Sequence, residues 1–163
     1  MLQGVGTERR RRVLGDYTRG IDGPLLVVTG GPGVVQAAMQ SGKRAVCAGP
    51  GNPPVVVDAT ADIAKAARDI VYGAGYDNNI ICVDEKEVFV VAGVADALLQ
   101  GMAEQGAYLA SPAELARIEK IIFKENRGPR THGVINKEWV GKDASAILAA
   151  AGLPARPETP LIV

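Results

Sequence analysis

The chain has 163 residues, 47% of them hydrophobic and only 4% aromatic, with 18 Lys and Arg balanced by 18 Asp and Glu. That length accommodates one respectable hydrophobic core, and the apolar fraction excludes a disordered chain. Zero net charge gives no general attraction to nucleic acid or to an acidic membrane surface, and no apolar run approaches the ~20 residues of a bilayer span.

Residues 1–20 hold Arg9 to Arg12 without an apolar stretch behind them, so they are no secretory signal, and the arginines read as a solvated helix face. Leu25 to Val28 is an apolar run of strand length ending in Thr29-Gly30-Gly31-Pro32-Gly33. A helix is predicted next, with Pro32 in its first turn, Val35, Ala38 and Met39 on one face, and Gly42 as its stop. Arg44 to Ala48 reads as a short strand leading into a dense Gly/Pro turn from Gly49 to Pro54. Val55 to Val57 is predicted as a buried strand closed by Asp58. Thr60 or Asp62 caps the following helix, whose stripe is Ile63, Ala66, Ala67, Ile70 and Val71, breaking around Gly73 and Gly75.

Asp77-Asn78-Asn79-Ile80-Ile81-Cys82 comes next, then Asp84 to Glu87 as a solvated turn and a strand at Val88 to Val91. Val94 to Glu104 has helical spacing, and Ala107 to Leu109 reads as a short strand. Ser111 with Glu114 three places on forms a capping box for a helix through Phe123. Lys124 to Gly133 is a polar loop, Ala144 to Ala151 a last helix ending at Gly152, and Leu161 to Val163 a strand with no partner in sight. Because an unpaired apolar edge invites aggregation, that ending leads to the expectation of a truncated chain. Strand and helix in alternation predict an α/β fold, a mostly parallel sheet flanked by helices in α/β/α layers.

Several residues are candidates for chemistry. The turn at Thr29, Gly30 and Gly31 presents backbone N–H groups at a helix N-terminus, which suits a phosphate, although its spacing is not Gly-x-Gly-x-x-Gly and the pattern alone favours a plain tight turn. Rigid turns at strand ends, such as the one at Gly49, are where α/β sheets bind ligands or simply connect. A cysteine flanked by apolar residues, as Cys82 is, is more often a core thiol than a nucleophile, but donors near Asp77-Asn78-Asn79 would stabilise a thiolate or an oxyanion. Cys47 lies in a strand-like run and reads as core; both thiols are expected free. His132 is the only histidine, which excludes a His-rich metal site and places it in a loop.

Three segments together resemble one family. Leu25 through Val35, containing Thr29-Gly30-Gly31-Pro32-Gly33, is similar to the last cofactor-proximal strand and turn of the aldehyde dehydrogenase superfamily. Ser41-Gly42-Lys43-Arg44 through Gly49-Pro50-Gly51-Asn52-Pro53-Pro54 to Asp58 resembles its coenzyme-A-acylating branch, as does Asp77 to Cys82 with Glu85-Lys86. Val140-Gly141-Lys142 and Pro154 to Val163 are similar to the acetaldehyde and propionaldehyde enzymes of ethanolamine and propanediol utilisation. The resemblance runs from about Ile21 to Val163, and residues 1–20 do not share it.

This resemblance implies that 21–48 belong to a cofactor-binding domain and 49–163 to part of a catalytic domain. It implies Cys82 as the nucleophile, and Thr29, Gly30, Gly31 and Gly49 along an NAD cofactor. Cys82 would attack a small aldehyde, lose hydride to NAD, and pass the resulting thioester to coenzyme A. Hydrolytic relatives carry a glutamate just before the turn corresponding to 49–51, where this chain has Val46-Cys47-Ala48. Without that base, water attack should be slower by roughly 10²–10⁴, which favours acyl transfer to a thiol. Two free cysteines and no secretory signal make the cytoplasm the expected location, and the resemblance adds a microcompartment lumen, a homo-oligomeric full-length parent, and low activity for this chain alone. The alternatives are a catalytically silent α/β fragment, a hydrolytic semialdehyde dehydrogenase or an acyl-phosphate reductase.

Overall fold

A computed structural model describes residues 25–126, 128, 131 and 133–163. The arginine run and His132 lie outside the described residues. The chain divides after Gly51 into two compact units.

In the first unit, β1 (Leu25–Thr29), α1 (Pro32–Met39) and β2 (Arg44–Ala48) make a single βαβ turn. β1 and β2 pair in parallel, in register from Leu25 with Arg44 to Thr29 with Ala48. The strand-to-helix turn falls on Gly30 and Gly31, and Pro32 starts α1, where its missing N–H is no loss. Ala38 faces inward as its spacing predicts, but Met39 is 71% exposed.

The second unit holds β3 (Pro54–Val57), α2 (Ile63–Gly75), β4 (Glu87–Val90), α3 (Ala92–Glu104), α4 (Pro112–Ile122), β5 (Phe123–Glu125), β6 (Val134–Ile135) and α5 (Ala144–Ala150). β3 and β4 are parallel partners, in register from Pro54 with Glu87 to Val57 with Val90. Their covered face and the inner faces of α2 and α3 make one core: Val57, Ala67, Ile70, Val71, Leu98, Met102 and Ala107. The stripe expected on α2 is thus the one that packs. Asp62, not Thr60, is its cap, accepting from the Lys65 N–H at 3.0 Å. Thr60 instead closes a turn on Asp58.

Val55 to Val57 is not buried throughout, as its composition predicted. Val56 is 77% exposed because alternate side chains of a strand point to opposite faces and only one face of β3–β4 carries helices in this unit. Among the described residues six strands form three two-stranded sheets, two parallel and one antiparallel, so the parallel α/β character holds while the sheet is divided.

Both α3 and α5 end in the same device. The N–H of Ala107 bonds Met102 O while Gly106 bonds Ala103 O; Leu153 and Gly152 repeat this on Leu148 and Ala149. These are Schellman motifs, in which the left-handed glycines, φ 91° at Gly106 and 66° at Gly152, turn the chain so that Ala107 and Leu153 fold back into the core. The Ser111–Glu114 capping box forms as expected. Glu114 also accepts from the Tyr108 hydroxyl at 2.7 Å, and these bonds, Tyr108's first, hold its carboxyl at about 2.

Two further segments depart from their local pattern. Phe123 to Glu125, assigned to helix end and loop, is a strand paired antiparallel with Val134–Ile135. Leu161 to Val163 is not without a partner: Tyr108 N–H bonds Leu161 O at 2.8 Å, Val163 N–H bonds Tyr108 O at 2.8 Å, and Ala110 N–H bonds Val163 O at 2.7 Å. Both partners lie far enough along the chain that no local pattern announces them.

Candidate active site

The segment around Cys82 begins where α2 ends. Asp77, Asn78 and Asn79 follow in left-handed backbone, with φ of 44°, 54° and 60°. Left-handed geometry costs an L-residue ~1–2 kcal/mol, least for Asn and Asp, so three in succession require support. Asn79 supplies it by donating its amide to Ala74 O at 2.6 Å and Glu85 O at 2.9 Å. Asn78 donates to Gly141 O at 3.2 Å and Asp143 Oδ1 at 2.9 Å. Gly141 stands at φ 73°, a left-handed conformation that strains any residue with a Cβ, and packs beside the tip of Ile80. The two asparagine amides are therefore spent on structure and are not the oxyanion donors that the sequence offered.

Cys82 is exposed, in a tight turn. The turn is closed by Asp84 N–H on Ile81 O at 3.2 Å, and Asp84 Oδ2 accepts from Ile81 N–H at 2.9 Å. Asp84 is 4% exposed, so its carboxylate is buried. Lys86 Nζ donates to Ile81 O at 3.0 Å and Asn79 O at 3.1 Å, and lies 4.0 Å from Asp84 Oδ2. The stretch Asp84 to Glu87, expected to be a solvated turn, contains the two charged groups that brace the thiol's turn. A run of four charged residues points to water; only the tertiary fold shows that two of them face inward.

Among the described residues, no acceptor bonds the N–H of Cys82 or of Val83. An exposed sulfur on a braced turn with two unspent backbone donors can attack a carbonyl and hold the resulting oxyanion. A cleft of about 580 Å³ in the same unit is lined by Asn78, Asn79, Glu85 and Lys86 together with Val88, Val90 and Leu161 to Val163. Cys82 does not line it; its walls come from α2, α3, α5, β4 and the terminal strand.

Thr29, Gly30, Gly31 and Gly49 all belong to the first unit. Gly31 caps α1 without a side-chain bond, and among the described residues the N–H groups of Gly31 and Gly33 are unbonded. An apolar hollow of about 530 Å³ lies beside them, lined by Pro32, Val35, Gln36, Met39, Gln40, Gly49 and Pro50. Val35 and Met39, expected on one face of α1, both line it. Cys47 is half-buried in β2, and Val46 to Ala48 place no carboxylate there. Among the described residues there is no cluster of three or more metal-ligating side chains, and no helix long and apolar enough to cross a membrane.

Residues 25–118 match the model of the aldehyde dehydrogenase family. The acetylating acetaldehyde dehydrogenase EutE of Escherichia coli (strain K12) is 49% identical over 139 residues, covering 85% of this chain and 30% of that protein. A propionaldehyde dehydrogenase from the Clostridium phytofermentans fucose utilisation bacterial microcompartment superposes with a TM-score of 0.79 at 38% identity, over 96% of this chain and 34% of that one. The Rhodopseudomonas palustris propionaldehyde dehydrogenase, solved with bound CoA and an acylated cysteine, gives 0.80 at 37% identity, over 96% and 34%. The chain thus spans about a third or less of the length of these relatives.

Proposed function

The chain belongs to the aldehyde dehydrogenase family, and from that premise we propose that it carries the nucleophile segment of a coenzyme-A-acylating enzyme for short aldehydes. The observation that carries this reading is the braced, exposed turn of Cys82 with its unspent N–H groups. The relatives named for acetylating and propionaldehyde activity, one of them with an acylated cysteine, support it.

The chemistry assigned to the chain's own residues is as follows. The Cys82 thiolate attacks the aldehyde carbon; the C–S bond forms and the carbonyl pair moves to oxygen, where the Cys82 and Val83 N–H groups stabilise it. A nicotinamide cofactor, proposed as NAD, would supply the hydride acceptor for this adduct. The thioester left on Cys82 is then attacked by the thiol of coenzyme A, one thioester replacing another. Val46 to Ala48 supply no general base to activate water, which favours the thiol.

For the nicotinamide cofactor, the uncapped start of α1 fits a phosphate, and the hollow beside it fits a flat apolar ring. Thr29, Gly30, Gly31 and Gly49 are its proposed contacts. The likeness to a microcompartment enzyme makes the lumen of such a compartment, within the cytoplasm, the proposed setting.

Thioester exchange runs in both directions and needs no nicotinamide, so it tests the nucleophile directly. Incubated with propionyl-coenzyme A, the chain is expected to gain one propionyl group on Cys82, read by peptide mass mapping, and the Cys82→Ser variant none. Propionylation of Cys47 instead, or of neither cysteine while Cys82 alkylates readily, would sink the reading.

A further inference from the structure

We propose that Lys86 is a positioning residue for acyl transfer: it orients and polarises the Ile81–Cys82 peptide, whose N–H belongs to the nucleophile residue. The inference rests on the reading of Cys82 as an acyl-accepting nucleophile. That peptide is held at its oxygen by two donors, Lys86 Nζ at 3.0 Å and the Asp84 N–H at 3.2 Å. The N–H of Ile81 on its other flank is bonded to Asp84 Oδ2 at 2.9 Å. Lys86 also bonds Asn79 O at 3.1 Å, so its ammonium ties both peptides that enclose Ile80 and Ile81 to one point.

The side chain reaches there through the protein: it is 19% exposed, and Asp84 beside it is 4% exposed. A charged donor on an amide oxygen is stronger than a neutral one, and in a chain of hydrogen bonds each member polarises the next. Charge drawn toward the Ile81 oxygen makes the N–H at the other end of the same amide a better donor. That N–H, on Cys82, is unbonded among the described residues and is the group proposed to meet the oxyanion. Lys86 then acts through the backbone, without touching substrate.

Two reactions of the same sulfur separate this role from simple support of the fold. Alkylation by iodoacetamide forms a C–S bond and breaks C–I at a saturated carbon, with no oxyanion. Acetylation by p-nitrophenyl acetate forms C–S and breaks C–O, releasing nitrophenolate and the thiol proton to solvent, and passes through an oxyanion. The ratio of acetylation to alkylation at Cys82 reads the oxyanion contribution and cancels changes in exposure. In the full chain, Lys86→Met is expected to lower that ratio by about 3- to 10-fold, less than the ~10²–10³ of deleting a donor outright because the N–H remains. Lys86→Arg, which keeps charge and donors, should stay within about twofold of the parent.

A proportional fall in both rates, or an unchanged ratio, overturns the role of Lys86. If Lys86→Met loses its far-UV dichroism, the ratio is read in Lys86→Gln, which keeps a neutral donor; an unchanged ratio there is equally fatal. If the parent chain alkylates at Cys82 but is not acetylated there, the nucleophile reading fails and takes this inference with it. Acetylation of the parent together with an unaltered ratio removes Lys86 alone.

Discussion

Asn79 holds φ at 60° while its amide bridges Ala74 O and Glu85 O, so a single side chain both tolerates the left-handed backbone and ties the end of α2 to the far side of the Cys82 turn. Two contributions separate by substitution. Asn79→Ala loses both bonds, at ~1 kcal/mol each, and adds a left-handed alanine at roughly 1 more. Asn79→Gly loses the bonds but not the backbone fit. Unfolding free energies from urea titration are expected to place Ala about 1 kcal/mol below Gly, with both below the parent. Equal values would show that the left-handed turn is not maintained in solution. Asp84 and Lys86 give the same lesson from charge: their types promise water, and the fold puts one inside and the other against two carbonyls.

Between elements, the close crossing of α2 and α3 depends on small residues. A Cβ added at Gly101 would lie 2.9 Å from the Cβ of Ala67, below van der Waals contact, whereas a Cβ at Gly93 in the same helix meets nothing within 4 Å. Glycine to alanine in a helix gains ~0.5–1 kcal/mol from propensity alone. Overpacking a core contact costs ~1–3 kcal/mol, so the clash outweighs the gain at Gly101. Gly93→Ala is therefore expected to raise the thermal midpoint and Gly101→Ala to lower it. The same sign for both would mean that the helices adjust their separation freely. The amphipathic stripe of α2, the capping box of α4 and the first βαβ turn were all readable in advance, since each is written within a few residues. The β5–β6 pair was not, because Phe123 and Ile135 meet across twelve positions.

At the scale of the molecule, the two units carry separate parts of the proposed reaction, Cys82 in one and the glycine turn in the other. Thioester exchange at Cys82 needs no nicotinamide, whereas hydride transfer needs a bound nucleotide as well. Since the chain spans 30% of the length of EutE, the two half-reactions are expected to separate: propionyl exchange at Cys82 without appreciable NAD reduction from aldehyde and coenzyme A. Robust NADH formation by this chain, followed by absorbance, would show that its residues suffice for both.

The sequence by itself determined the alternation of strands and helices, the Ser111–Glu114 capping box, the glycine turn and the cysteine worth testing. Those follow from interactions among neighbours, and from a resemblance borne by contiguous motifs. Only the tertiary structure decided that Leu161 to Val163 pairs with Tyr108 to Ala110, that Met39 lines a hollow, and that Asn78 reaches Asp143 across 65 positions. A buried or strained backbone group must find its hydrogen-bond partner wherever the fold brings one, and distance along the chain leaves no mark of which residue that is.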